Sequence, residues 1–307
     1  MVASCLSLVS LYGRYLHRSL SAAGLSSQTI DVDGETTIHF WGPKPKPNSS
    51  SSSSPKPPLI LIHGFGPQGV WQWRQQVTFF APHFDLYVPD LVFFGNSTST
   101  SSERSEVFQA ISVGKLLEKV GVNRYSVVGT SYGGFVAYQM ALMWPERVEK
   151  VVIASSGINM RQRDNIELVK RAKAEKIEEV MLPRTAAQLR TLISLALFNP
   201  PYFYLPDFLL NDFLDKLYTE NRKEKMELLK GLRLGQDDTV NISPLQQEVL
   251  IVWGDHDQIF LLEKAIELKE LLGDKVRLEV INNTSHVPQL QHAARFNNIL
   301  NNFLCAS

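Results

Sequence analysis

Short apolar runs punctuate the chain at Leu59–Ile62, Phe84–Val88, Ser126–Val128, Val151–Ala154 and Val249–Val252, with another, interrupted by Glu279, at Leu278–Ile281. Runs of this length with few polar positions read as strands buried on both faces, as in a parallel sheet between layers of helices. Helical spacing fills the intervals, over Trp71–Phe80, Ser105–Val120, Gly134–Trp144 and Leu261–Leu272, with Pro145 stopping the third. Strand and helix in alternation predict an α/β fold with a mostly parallel sheet of the eight-stranded type flanked by helices. Before it, Thr29–Trp41 alternates as an entry hairpin around Asp33-Gly34.

The alternation stops between Ala154 and Val249, where about ninety residues carry helical pattern alone, far more than an ordinary crossover. One charged amphipathic helix is expected over Asp164–Met181. A capping box, Thr185 with Gln188, opens a second over Ala186–Phe198, which Pro200-Pro201 break. Leu209–Glu220 and Arg222–Leu232 follow. The expected organisation is a core of residues 29–156 and 241–307, with a helical insertion at 157–240. The aromatic residues Phe198, Tyr202, Phe203, Tyr204, Phe208 and Phe213 either glue that insertion to the body or line an apolar pocket; Phe198, Phe203 and Phe208 are taken as substrate-binding candidates.

Residues 1–28 form a separate N-terminal segment. Met1–Gly24 carries Arg14, His17 and Arg18, and no acid precedes Asp31, a composition that fits a plastid or mitochondrial transit peptide. Leu6, Val9, Leu11, Tyr15, Leu16 and Leu20 equally fit an amphipathic helix that packs on the fold or associates with a membrane surface. Without targeting, a cytoplasmic protein is expected. Lys44–Pro57, with six consecutive serines, reads as a flexible surface loop.

At 307 residues and 44% hydrophobic, the chain is long enough for one large core. Its 31 basic and 31 acidic residues balance, so no global field favours nucleic acid as a partner. Cys5 and Cys305 stand at opposite ends, outside any motif, and supply neither a disulfide framework nor a nucleophile. No metal and no cofactor is expected; His256 between two aspartates is the nearest approach to a metal cluster and reads more simply as a turn. A small molecule is the expected partner.

The chemistry gathers where apolar runs end. Gly129-Thr130-Ser131-Tyr132-Gly133 joins the Ser126–Val128 run to a helix, and G-x-S-x-G in that setting is a nucleophile elbow, which holds Ser131 out of the backbone over a helix N-terminus. Asp255 and Asp257 follow the Val249–Trp253 run, and His286 follows Leu278–Ile281, giving the order serine, acid, histidine. His286 would take the Ser131 proton, and an aspartate would fix its tautomer and stabilise the imidazolium. Of the two, Asp257 stands far enough past the turn to reach back to His286, whereas Asp255 suits a turn cap. The Pro58–Ile62 run ends in His63-Gly64-Phe65-Gly66, where backbone amides can face developing negative charge; Phe65 and Tyr132 are the expected oxyanion donors, and His63 a structural residue beneath the turn.

Together His63–Gly66, Pro89–Leu91 with Gly95–Ser97, Gly129–Gly134, Trp253–Asp257 and Ser285-His286 make the chain resemble the α/β-hydrolase superfamily from about Thr36 to Leu304. It looks most like the plant serine esterase and epoxide-hydrolase-like branch, and is also similar to meta-cleavage-product hydrolases. The resemblance implies a triad of Ser131, Asp257 and His286, with the insertion as a cap. Phe93-Phe94 and Ser285 depart from the branch pattern, and Ser131 stands where epoxide hydrolases carry an Asp nucleophile. The implied activity is hydrolysis of a carboxylic ester of a largely apolar small molecule, with a thioester or a C–C bond beside a ketone as variants. An acyltransferase, or a ligand-binding receptor with slow turnover, is the alternative.

Overall fold

The structure, a computed structural model, describes residues 7–45, 56–200 and 205–306; the serine tract and Tyr202, Phe203 and Tyr204 lie outside the described residues. Among the described residues nine strands form one sheet: β1 (Leu25–Asp31), β2 (Thr36–Pro43), β3 (Pro58–Ile62), β4 (Asp85–Pro89), β5 (Thr98–Ser99), β6 (Tyr125–Thr130), β7 (Val148–Ala154), β8 (Glu248–Gly254) and β9 (Val276–Ile281). The order is β1-β2-β4-β3-β6-β7-β8-β9, with β5 paired to β2. From β4 to β9 every pairing is parallel, and the β1–β2 hairpin adds an antiparallel edge. The hairpin turns as expected: the Asp33 carboxylate accepts from the Glu35 and Thr36 amides, and Gly34 takes φ +86°.

The helices are α1 (Leu8–Ala22), α2 (Gly69–Phe80), α3 (Glu106–Lys119), α4 (Tyr132–Met143), α5 (Gln162–Arg171), α6 (Ile177–Met181), α7 (Ala186–Ala196), α8 (Asp207–Leu217), α9 (Arg222–Gly231), α10 (Leu262–Leu272), α11 (Pro288–Gln291) and α12 (Ala293–Leu304). Alternation along each strand divides the core in two. Ile60, Val127, Ile153 and Ile251 face α3, α4 and α10; their neighbours Leu61, Val128, Val152 and Val252 face α1, α2 and α12. Strands apolar at every position are therefore a consequence of two covered faces, and each buried aliphatic side chain contributes roughly 1.5–3 kcal/mol.

Between β7 and β8 lie α5 to α9 and, among the described residues, no strand. The expected single helix over Asp164–Met181 is instead two. The chain breaks at Lys173, with φ +51°, so that Leu168 and Val180 enter one small cluster with Leu195 and Ile259. A straight helix would hold those two leucine and valine side chains about 18 Å apart. The capping box is also displaced: Thr185 accepts from the Gln188 amide, but the Gln188 side chain returns to the amide of Arg184, one residue early. α1 is part of the fold, with Leu16 and Leu20 buried against the α2 side of the core.

Candidate active site

Four strand ends supply the site: β3, β6, β8 and β9. At the end of β6 the chain turns into α4 through Ser131, which takes φ +51° and ψ −122°, a conformation that costs a non-glycine residue energy. The turn is possible only because its neighbours lack side chains. A Cβ on Gly129 would stand 2.1 Å from the Gly133 carbonyl oxygen, and one on Gly133 would stand 2.2 Å from that of Ile62. Gly134 is as tight, 2.4 Å from Ser156 Cβ.

Ser131, His286 and Asp257 form one hydrogen-bonded line. His286 Nε2 is 2.9 Å from Ser131 Oγ, and His286 Nδ1 is 2.9 Å from Asp257 Oδ2. Facing a carboxylate, Nδ1 carries the proton, which leaves the Nε2 lone pair to accept from the serine hydroxyl. Asp257 is itself fixed, because its Oδ1 accepts from the amides of Ile259 and Phe260 at 2.9 and 3.0 Å. All three side chains are buried. Asp255 serves the loop instead: its Oδ1 accepts from the Thr284 amide and pairs with His256 Nδ1.

The turn after β3 lies against the elbow, with the space beside Gly64 only 2.9 Å from Ser131 Cβ. Its Gly64 amide donates to Gln72 Oε1, and Gln72 Nε2 donates back to the carbonyls of Gly64 and Pro67. Among the described residues the amides of Phe65 and Tyr132 have no acceptor, and Tyr132 opens α4, whose N-terminus favours negative charge. His63 is enclosed, with Nδ1 on the Gly64 carbonyl and Nε2 accepting from the Leu91 amide. Burial pushes its pKa down, so the ring is neutral and serves the turn.

A cavity of about 690 Å³ opens onto Ser131 and His286. Leu189 and Ile193 of α7, Leu210 and Phe213 of α8, and Trp71 of α2 make its wall largely apolar; among the described residues that line it, Arg74 is the one arginine or lysine. The aromatic candidates fare unevenly. Phe208 is 67% exposed and does not line the cavity, because the buried face of α8 is carried by Leu210, Leu214 and Leu217. Phe198 packs on His256, with ring centroids 4.1 Å apart, outside the cavity wall. Phe203 lies outside the described residues.

Sequence reasoning passed over Gln72 and Gln291, which belong to no motif. Gln291 accepts from the amides of Ser285 and Phe198 and donates to the Phe198 carbonyl, tying the loop of His286 to the insertion. Ser285 adds a bond from its hydroxyl to the Leu195 carbonyl. Phe94 stacks edge-on against His63 and Phe65, and Phe93 lies under the Arg104 guanidinium. A second serine–histidine–aspartate line also exists at the sheet edge: Ser27 Oγ is 2.7 Å from His39 Nε2, and His39 Nδ1 is 2.8 Å from Asp90 Oδ2. Ser27 sits in extended β1, with neither an elbow nor a helix N-terminus beside it.

The family model described as alpha/beta hydrolase fold matches residues 57–293. Curated relatives include 2-hydroxymuconate semialdehyde hydrolase of Pseudomonas sp. (strain CF600), 27% identical over 80% of this chain and 86% of that protein. Another is 2-hydroxy-6-oxo-6-phenylhexa-2,4-dienoate hydrolase of Burkholderia cepacia, 25% identical over 80% and 87%. Among solved structures, a lipase-like protein (lip1) from Acinetobacter baumannii AYE superimposes with a TM-score of 0.77 at 21% identity, covering 95% of each chain. The dienoate hydrolase BphD of Rhodococcus sp. strain RHA1 gives 0.73 at 21%, covering 92% and 99%. With its strand order, elbow and family match in agreement, the chain belongs to the alpha/beta hydrolase fold family and is a hydrolase.

Proposed function

We propose that the protein is a serine hydrolase that cleaves a carboxylic ester of a largely apolar small molecule through an acyl-enzyme. The observation that carries this reading is the 2.9 Å approach of His286 Nε2 to Ser131 Oγ at the floor of an apolar cavity. Ser131 Oγ attacks the ester carbonyl carbon as its proton passes to His286 Nε2. The amides of Phe65 and Tyr132 hold the oxyanion, and the Asp257 carboxylate stabilises the imidazolium. The tetrahedral adduct collapses, and His286 gives its proton to the leaving alkoxide. A water then loses a proton to His286 and attacks the acyl carbon; the bond from that carbon to Ser131 Oγ breaks, His286 returns the proton to Oγ, and the acid leaves. The insertion acts as a cap, since its residues from Met181 to Tyr218 supply most of the apolar wall. Of the family's branches, the motif set fits the plant serine esterases best.

A second reading, cleavage of a C–C bond beside a ketone, is favoured by the names of the relatives, several of which specify a dienoate. A dienoate is a carboxylate and needs a cation in the pocket, a role open here to Arg74.

Labelling with a fluorophosphonate and turnover of p-nitrophenyl esters of increasing chain length test the reading. Wild type should label and turn over, and Ser131→Ala and His286→Ala should do neither. Labelling with negligible ester turnover would overturn it in favour of a ligand-binding receptor, and Arg74-dependent cleavage of a dienoate would favour the C–C reading.

A further inference from the structure

α1 turns an apolar stripe away from the protein. Leu8, Leu11, Tyr12 and Tyr15 follow i, i+3, i+4, i+7 spacing, which places them on one face, and they are 54, 36, 41 and 60% exposed. The helix is already packed on its other side, through Leu16 and Leu20, which leaves Leu8, Leu11 and Tyr15 outside the buried core. Its N-terminus is fastened to the insertion: the Ser7 hydroxyl and the Val9 amide both donate to Asp212 Oδ2 of α8, at 2.9 and 3.1 Å. Phe208, one turn before Asp212, adds its exposed ring to the same side.

The stripe is continuous with the cavity. Val9 and Tyr12 are part of the cavity wall. Ring centroids step inward from Tyr15 to Tyr12 (5.8 Å), Tyr12 to Trp71 (5.4 Å), Trp71 to Phe213 (6.1 Å) and Phe213 to Tyr218 (6.0 Å). An aromatic track thus runs from an open surface to the chamber that holds Ser131.

Arg14 and Arg18 are exposed at the end of the stripe, and no acidic residue precedes Asp31 in the chain. We propose that this face of α1 docks on an anionic lipid bilayer and draws apolar esters from it into the cavity; the second clause rests on the hydrolase reading. A helix of 15 residues packed on one side is too short to span a bilayer and is suited to lie in its interface, about 5–10 Å deep, with arginines at the headgroup phosphates. A second copy of the chain fits the face less well. One helix about 22 Å long offers far less than the roughly 800 Å² a stable interface takes from each partner.

The test is flotation of the full chain with vesicles of phosphatidylcholine mixed with phosphatidylglycerol, and with phosphatidylcholine alone. Wild type should float with the mixed vesicles. The double variant Leu8→Glu/Tyr15→Glu, neither residue lining the cavity, should lower partitioning on the order of a hundredfold, and Arg14→Gln/Arg18→Gln on the order of tenfold. Both should keep wild-type turnover of p-nitrophenyl acetate in solution and lose turnover of a p-nitrophenyl palmitate dissolved in the vesicles. Absence of wild-type flotation, equal flotation of the Glu variant, or a wild-type dimer that the Glu variant dissociates would overturn the proposal. Flotation without hydrolysis of either ester upholds the docking surface and removes the hydrolase reading.

Discussion

Asp257, at the end of β8, holds the Nδ1 edge of His286, at the end of β9, through Oδ2, while its Oδ1 is held by two backbone amides of its own loop. That division of labour makes Asp257→Asn informative. The asparagine oxygen stays with the Ile259 and Phe260 amides, so its NH₂ faces His286 and forces the ring proton onto Nε2, where it opposes the Ser131 hydroxyl. A fall in kcat on the order of 10⁴ is expected with the fold intact. Asp255→Asn, whose carboxylate serves Thr284 and His256, should cost less than about tenfold. Steady-state kinetics on one p-nitrophenyl ester, with circular dichroism of each variant, compares the two.

Ser27, His39 and Asp90 reproduce the spacing of the first line without its surroundings. Asp90 also accepts from the Gly69 amide and so pins the start of α2, a structural use. Ser27→Ala should keep full fluorophosphonate labelling and ester turnover, and shift stability by about 0.5–1.5 kcal/mol. Labelling that survives Ser131→Ala and disappears with Ser27→Ala would reverse the assignment of the nucleophile.

Gly134 meets a side chain where Gly129 and Gly133 meet backbone, so its cost is repairable. Gly134→Ala should destabilise by roughly 1–3 kcal/mol through overlap with Ser156. Adding Ser156→Gly should recover part of that loss, a coupling of about 1 kcal/mol measurable by urea denaturation of the four variants. Gly129→Ala should have no such partner.

Glu267 of α10 pairs with Arg161, at the start of α5, and with Lys264. The Arg161 hydrogen bonds hold its carboxyl below the ordinary value of 4.5, against an opposing contribution from burial. A depressed folded-state pKa contributes stability that is present above the unfolded value and lost as pH falls through the folded one. Contact between the insertion and the core should therefore loosen below about pH 4.5, seen as faster proteolysis around residue 161. Glu267→Gln should remove that acid-dependent component; an unchanged acid profile in the variant would disprove the role.

Continuous apolar runs make the parallel part of the sheet readable, because strands covered on both faces are apolar at every position, and period-two alternation marks the edge hairpin. Ser131 and His286 stood out as candidates because each closes such a run, and the fold brings them within hydrogen-bond distance. The insertion was less legible. Helical spacing shows that a face is buried without saying against what, so the break at Lys173 and the outward turn of Phe208 follow from packing partners distant in sequence. Gln72 and Gln291 carry no signal at all, since their importance arises only where separate loops approach them.

The insertion divides the site in chain order: Ser131 and the two amides precede it, and Asp257 and His286 follow it. Under the proposed mechanism, the serine that attacks is therefore synthesised long before the base that would activate it. Until β9 docks beside β8, a nascent chain would hold that serine with no proton acceptor. Reactivity becomes a report that the last strand has been laid down, and an active-site label would count finished molecules while passing over truncated ones.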